Sequence, residues 1–177
     1  MIGLLIIACE IGFWVFVLAG LVSRYILKKK KLGTFLLICT PFVDLILLIV
    51  TIFDLKNGAV ATAMHGIAAV YIGVSIGFGH RMIQWADSHF NYRFGDGNKP
   101  VKIKYGKEHA RKERKAWYRH LLSLIIGGGI LIIIIFYINN SYQTEVLLQI
   151  MLLWSLIVVI DFFISFSYTL FPKKQKT

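Results

Sequence analysis

The sequence predicts an all-α integral membrane bundle of five transmembrane helices, amino terminus outside and carboxyl terminus cytoplasmic. Three observations carry that reading. The chain has 177 residues, 57% of them hydrophobic, and a mean hydropathy of +0.69. Only 16% of its residues are charged, where soluble domains carry about a quarter. The apolar residues also gather into runs of about 20, the length that crosses a hydrocarbon core roughly 30 Å thick in a helix.

The runs are Ile2–Leu27, Leu32–Phe53, Ala59–Phe78, His120–Ile138 and Val146–Phe171. The first resembles a signal peptide in position only. No basic residue precedes it, and its lysine cluster follows it, so it reads as an uncleaved anchor. Short polar connectors separate the runs at Lys28–Lys31, Asp54–Gly58 and Asn139–Thr144. The longer segment from His80 to Arg119 has no room for a core of its own. The whole chain, 1–177, therefore reads as one membrane domain. Two cysteines are too few for a disulfide scaffold. Cys9 and Cys39 fall at opposite depths and read as free thiols.

Orientation follows from the lysines and arginines. With the amino terminus outside, 19 of the 20 basic residues lie on the cytoplasmic side, and only Lys56 lies outside. The net charge of +11 is thus a one-sided membrane signal. A nucleic-acid role would need a projecting recognition module, and the sequence offers none.

Ala59, Ala63, Gly66, Gly73 and Gly77 recur at helical spacing in the third span. Such a strip lets a second helix approach closely, within the chain or in a homodimer. Gly73–Gly77 also matches G-x-S-x-G, but a nucleophile elbow needs a strand–turn–helix setting, and Ser75 sits in a continuous apolar run. Rhomboid-type proteases set a serine against a histidine on another span. Here His65 lies on the same run as Ser75 and His80 just beyond it, and a sixth span is lacking. Gly127–Gly129 in the fourth span could break a helix, as at transporter sites, or smooth a packing face. Packing is favoured, because no second interrupted span matches it.

Glu10, Asp44, His65 and Asp161 fall inside spans one, two, three and five. An aspartate at the bilayer centre costs about 2.5–3.5 kcal/mol on insertion scales, so each is expected to face protein or water and find partners. Thr40, Asp44 and Thr51 share one face of span two. Trp154, Asp161, Ser165 and Tyr168 share one face of span five. Glu10 and Asp44 come to similar depths, roughly 12 and 14 Å below the outer surface at about 1.5 Å per residue. These groups serve either as interhelical hydrogen-bond glue or as a proton or cation site, and glue is the expectation.

The His80–Arg119 segment mixes aromatic and basic residues. Met82, Ile83, Trp85, Phe90, Tyr92 and Phe94 suggest a short helix in the headgroup region, and Gly95–Pro100 has turn chemistry. Val101–Tyr105 alternates like an extended surface segment, and Lys107–Tyr118 reads as a polar helix running into span four. Arg81, Lys102, Lys104, Arg111, Lys112, Arg114 and Lys115 are the candidate contacts to anionic inner-leaflet lipid, each worth about 1 kcal/mol near such a surface. A metal site needs at least three convergent ligands at suitable spacing; Asp87-Ser-His89 offers only a pair, with His80 seven residues before it. The desaturase histidine pattern, phosphate-binding loops and the aspartate motif of CDP-alcohol phosphotransferases are absent.

Three stretches taken together, Asp54–Ala59, His65–His80 and Asp161–Pro172, resemble the YmcC-type membrane proteins of bacilli along most of the chain. The resemblance implies a multi-pass plasma-membrane protein with no assigned activity, so it carries over no catalytic residue. The expected function is structural or regulatory, without cofactor or metal and without catalysis. The basic loop would engage anionic lipid or a cytoplasmic partner, and a homo-oligomer or membrane partner fits as well. The alternatives are a small proton- or cation-coupled transporter using the intramembrane acids and, weaker, a lipid-modifying enzyme at the inner surface.

Overall fold

The computed structural model describes residues 2–94 and 105–172, with some helical side chains, Glu10 and Asp44 among them, outside the description. Every regular element described is a helix. They are α1 (Ile2–Leu21), α2 (Lys30–Lys56), α3 (Ala63–Phe94), α4 (Gly106–Ile138) and α5 (Ser141–Leu170). A single π-turn, Val22–Ile26, extends α1. The last four of these helices are long and apolar enough to cross a membrane, and the described part of the first adds a shorter apolar helix, Ile11–Ile26.

The helices pack mainly in chain order, α1 on α2, α2 on α3, α3 on α4 and α4 on α5, with α3 also touching α5. Short connectors turn α1 into α2, α2 into α3 and α4 into α5, and the contacts of Gly73 with Ser123 and Gly77 with Arg119 show α3 and α4 antiparallel as well. The turn between α4 and α5 is only Asn139 and Asn140. Asn139 takes the left-handed conformation at φ 50°, which asparagine tolerates. The Asn140 side chain then accepts from the amides of Tyr142 and Gln143 at 3.1 and 3.3 Å, capping α5. α1 is peripheral. Its tightest seam is near its end, where a methyl on Gly33 of α2 would lie 2.6 Å from the Gly20 carbonyl oxygen.

The apolar core lies toward the end of the bundle where α2 and α4 finish and α3 and α5 begin. It comprises Leu47, Leu48 and Leu55 of α2, Ala61, Ala68 and Ala69, Leu131 and Ile134 of α4, and Leu147 of α5. Many of the remaining apolar side chains, such as Phe35, Phe42, Ile133, Phe136, Leu153 and Phe163, face outward, as lipid-facing residues do. Pro41 inside α2 leaves the Leu37 carbonyl without its helical donor. The Thr40 hydroxyl donates to that carbonyl at 2.8 Å, so the helix continues unbroken.

Several expected boundaries move. α3 runs to Phe94 rather than ending at Phe78, so the aromatic stretch after it is not a separate helix in the headgroup region. α4 begins at Gly106, so the polar helix expected over Lys107–Tyr118 does run on into the apolar run at His120. Hydropathy marks where a helix enters lipid, whereas Arg, Lys, Gln, Glu and Ala sustain a helix beyond that point. The turn and extended pieces expected between Gly95 and Lys104, with Lys102 and Lys104, lie outside the described residues.

Of the small-residue strip of α3, Gly73 and Gly77 serve the α3–α4 contact, while Gly66 packs against α5. A methyl on Gly73 would sit 2.5 Å from the Ser123 carbonyl oxygen, and one on Gly77 would collide with the Ser123 hydroxyl. A methyl on Gly127 would sit 2.7 Å from both the Ala69 carbonyl oxygen and the Trp154 ring, which wedges into the notch from α5. Two expected members drop out, because α3 starts only at Ala63. Ala59 lies in the connector, and Ala63, in the first turn, is exposed. The helix-break reading of Gly127–Gly129 is also overturned, since α4 is continuous there. Gly73→Ala and Gly127→Ala are therefore expected to lower thermal stability in detergent by about 1–3 kcal/mol through overpacking. Gly129→Ala, whose methyl would meet nothing within 4 Å, should be neutral or gain up to about 1 kcal/mol of helix stability.

Candidate functional site

Two polar joints fasten the bundle, one at each end. The first forms where α2 finishes and α3 and α5 begin. Gln143 of α5 donates from its side chain to the carbonyl of Ala59 at 3.0 Å, and its own carbonyl accepts from the Ala61 amide at 2.8 Å. These bonds satisfy backbone groups of a connector that has no helix of its own. Outside them Lys56 Nζ donates to the Tyr137 hydroxyl at 3.1 Å, over an open recess of about 340 Å³.

His65 belongs to this joint. It is 4% exposed. Thr62 stands just before α3, and its backbone N–H donates to His65 Nδ1 at 2.9 Å. That is half of a capping box, with histidine in the place usually taken by Glu or Gln. An N–H donor on Nδ1 requires that nitrogen to be unprotonated, so the neutral ring carries its hydrogen on Nε2. Nε2 faces Asp54 of α2 at 3.4 Å without a well-formed hydrogen bond. The intramembrane histidine singled out from the sequence is thus a helix cap leaning on an acid of the preceding helix.

The second joint lies in the α4–α5 hairpin. His120 Nδ1 and Asp161 Oδ2 are 2.7 Å apart, with side chains 40% and 27% exposed. The Ser165 hydroxyl reaches the other Asp161 oxygen at 3.4 Å, and the Phe78 ring meets the imidazole edge-on. One turn earlier on α4 the Trp117 indole donates to the Val158 carbonyl at 3.0 Å, and its ring packs on Phe162 and Phe166. Further along, Arg114 donates to Thr169 at 2.7 Å, and His109 stacks edge-on against Tyr168. The polar face read on span five is therefore turned into the protein, with Trp154, Asp161, Ser165 and Tyr168 all against neighbouring helices.

The described members of the intramembrane set do not converge. Gly66, beside His65, packs against Leu147 and Ile150 of α5. Asp161 lies eleven residues beyond Ile150, roughly 16 Å along the helix. Thr40 and Thr51 of the span-two stripe are buried, as expected, and the Thr51 hydroxyl has no partner. The side chains of Glu10 and Asp44 lie outside the described residues. Of the lipid-contact candidates, Arg81, Arg111, Lys112 and Lys115 are exposed, while Arg114 is turned onto α5. Among the described residues no group of three His, Cys, Asp or Glu side chains is arranged to hold a metal ion. His120, Trp117, Thr62 and Gln143 were not anticipated as joint-forming residues. His120 and Asp161 are 41 residues apart, and only their matching depth on consecutive spans could have linked them.

If these joints serve packing, conservative replacements should preserve them. Asp161→Asn keeps an acceptor for His120 and should leave the melting temperature close to wild type. Asp161→Leu should cost about 0.5–2 kcal/mol, the range of interhelical hydrogen bonds in membranes. His65→Gln should retain the cap, and nitrogen chemical shifts of the wild-type ring should report the Nε2–H tautomer. An Nδ1–H tautomer would contradict the capping geometry.

Comparison with known proteins fits this architecture. The 2TM domain matches residues 107–176, which contain nearly all of α4 and α5. Over 176 residues, 99% of this chain and 95% of the relative, the sequence is 50% identical to the uncharacterized membrane protein YmcC of Bacillus subtilis (strain 168). No solved structure matches the chain. Near-complete coverage at that identity, on a chain built of apolar helices, means that the protein belongs to the YmcC family of membrane proteins.

Proposed function

We propose that this protein is a non-catalytic, multi-pass component of the plasma membrane whose basic end holds the anionic inner leaflet. The amino terminus lies outside and the carboxyl terminus in the cytoplasm. The observation that carries this reading is the two-faced helical overhang of α4. Over residues 107–119, Ala110, Arg114 and Trp117 face α5, whereas Lys107, Arg111, Lys112 and Lys115 are exposed. One face is thus committed to the hairpin, and the other presents a row of cations at the level where the helix leaves lipid. Each cation near an anionic surface contributes about 1 kcal/mol. The orientation is supported by the 19 basic residues that share that side. A transporter reading draws less support, because His65 and Asp161 belong to separate joints, each occupied by its own partner.

Two experiments test the proposal. A reporter fused after Lys176 should be cytoplasmic, and single cysteines at Asn57 and Ser141 should react with an impermeant thiol reagent in intact cells. Protection of both sites, with an exported signal from the tail fusion, would overturn the orientation. In mixed vesicles, energy transfer from tryptophan to a labelled anionic lipid should exceed transfer to a labelled neutral lipid. Added salt should reduce the excess by screening, and joint replacement of Lys102, Lys104, Arg111 and Lys112 by Glu should cut it to a small remainder. An excess undiminished in that variant would reject the surface-charge reading.

A further inference from the structure

The glycine strip that packs α3 onto α4 also fixes what lies just beyond it. Gly77 rests against the Arg119 carbonyl and the Ser123 side chain. One turn on from Gly77, the same face of α3 carries Arg81. One turn back from Ser123, the same face of α4 carries Arg119. Antiparallel helices in backbone contact therefore bring two arginines together where the seam opens. Like charges so placed repel each other.

Nothing described offsets that repulsion. Among the described residues no ion pair with a carboxylate involves Arg81 or Arg119. Asp161, the acid on the neighbouring part of α5, is occupied by His120. Arg119 is half-buried, and one turn toward the apolar side Leu122 is 45% exposed. Two guanidiniums without a carboxylate partner among the described residues, beside an exposed apolar side chain, match an anionic head with a hydrocarbon tail. Guanidinium forks bind phosphate oxygens in pairs, and basic pockets between spans at the cytoplasmic side take up phospholipid heads.

We propose that Arg81 and Arg119 form a clamp for the phosphodiester of one inner-leaflet phospholipid at the seam between α3 and α4. The proposal rests on the reading of the basic end as the inner-leaflet face, but it names a site of one lipid rather than a charged surface. The clamp neutralises the arginine pair, and the acyl chains run along Leu122 toward the bilayer centre.

The test uses the full chain in detergent with dioleoylphosphatidylglycerol or inorganic phosphate as probes, read by native mass spectrometry. Wild type should retain one phosphatidylglycerol per chain. Joint Arg81→Gln and Arg119→Gln should cut retention at least tenfold with helix content unchanged by circular dichroism. Joint Arg81→Lys and Arg119→Lys, which keeps the charge but loses the fork, should cut it at least threefold and stands in should the glutamine variant not fold. Replacement of Lys102, Lys104, Arg111 and Lys112 by Glu should leave the single lipid bound, separating this site from the wider surface. Retention equal to wild type in a folded arginine variant would overturn the clamp. Inorganic phosphate bound in place of lipid would assign the pair to a free anion and overturn the lipid.

Discussion

The close approach of α3 and α4 at Gly73, Gly77 and Gly127 is the constraint on which the rest of the bundle depends. In lipid no hydrophobic force draws two apolar helices together, so packing and hydrogen bonds must supply the attraction. Glycines let the two backbones meet at a distance that a methyl group would forbid. Trp154 of α5 then fits into the notch they leave, which fixes α5 against both. Remove that seam and the hairpin of α4 and α5 has no fixed register against α3.

With the centre packed by shape, the polar groups are left for the ends. Gln143, Thr62, His65 and Asp54 close the end where the core lies, and His120, Asp161, Trp117 and Arg114 close the other. All of these but Asp54, which only leans on the His65 ring, satisfy a backbone atom or a partner side chain, which is what intramembrane polar residues must do when water is scarce. The division also explains the one-sided core. Apolar burial by Leu55, Leu131 and Leu147 dominates where the connectors are short and tightly tied, and aromatic stacking around Trp117 replaces it where the helices run on toward the aqueous phase.

Much of this was legible in the residues. The helices follow from apolar length, and the α3–α4 seam follows from glycines at helical spacing. The inward face of α5 follows from the spacing of Trp154, Asp161, Ser165 and Tyr168. What escaped has identifiable physical causes. Ala59 and Ala63 satisfied the periodicity, but the start of α3 is set by Thr62 and His65, a cap in which histidine replaces the usual Glu or Gln. The continuation of α3 to Phe94 escaped because hydropathy is blind to a helix that leaves lipid without ending, whereas the polar start of α4 was legible in the helix-forming residues of Lys107–Tyr118. The His120–Asp161 bond joins residues on different helices, and no local spacing encodes it. The Gly20–Gly33 seam had a weak signal, two glycines at like depth on either side of a short connector.

The overhang of α4 changes how the positive charge should be understood. Were residues 107–119 a flexible loop, their cations would spread through solution, and their attraction to a membrane would be limited by the entropy of ordering the chain. In the folded hairpin that entropy has already been lost, because Ala110, Arg114 and Trp117 hold the segment against α5 in a helix. The exposed cations are thus presented at fixed height and on one side. The contacts that order the segment are made by residues other than the exposed lysines, so charge can vary on the outer face without loosening the hairpin. The face packed within the protein and the face that carries the exposed cations are in this way separated onto opposite sides of one helix.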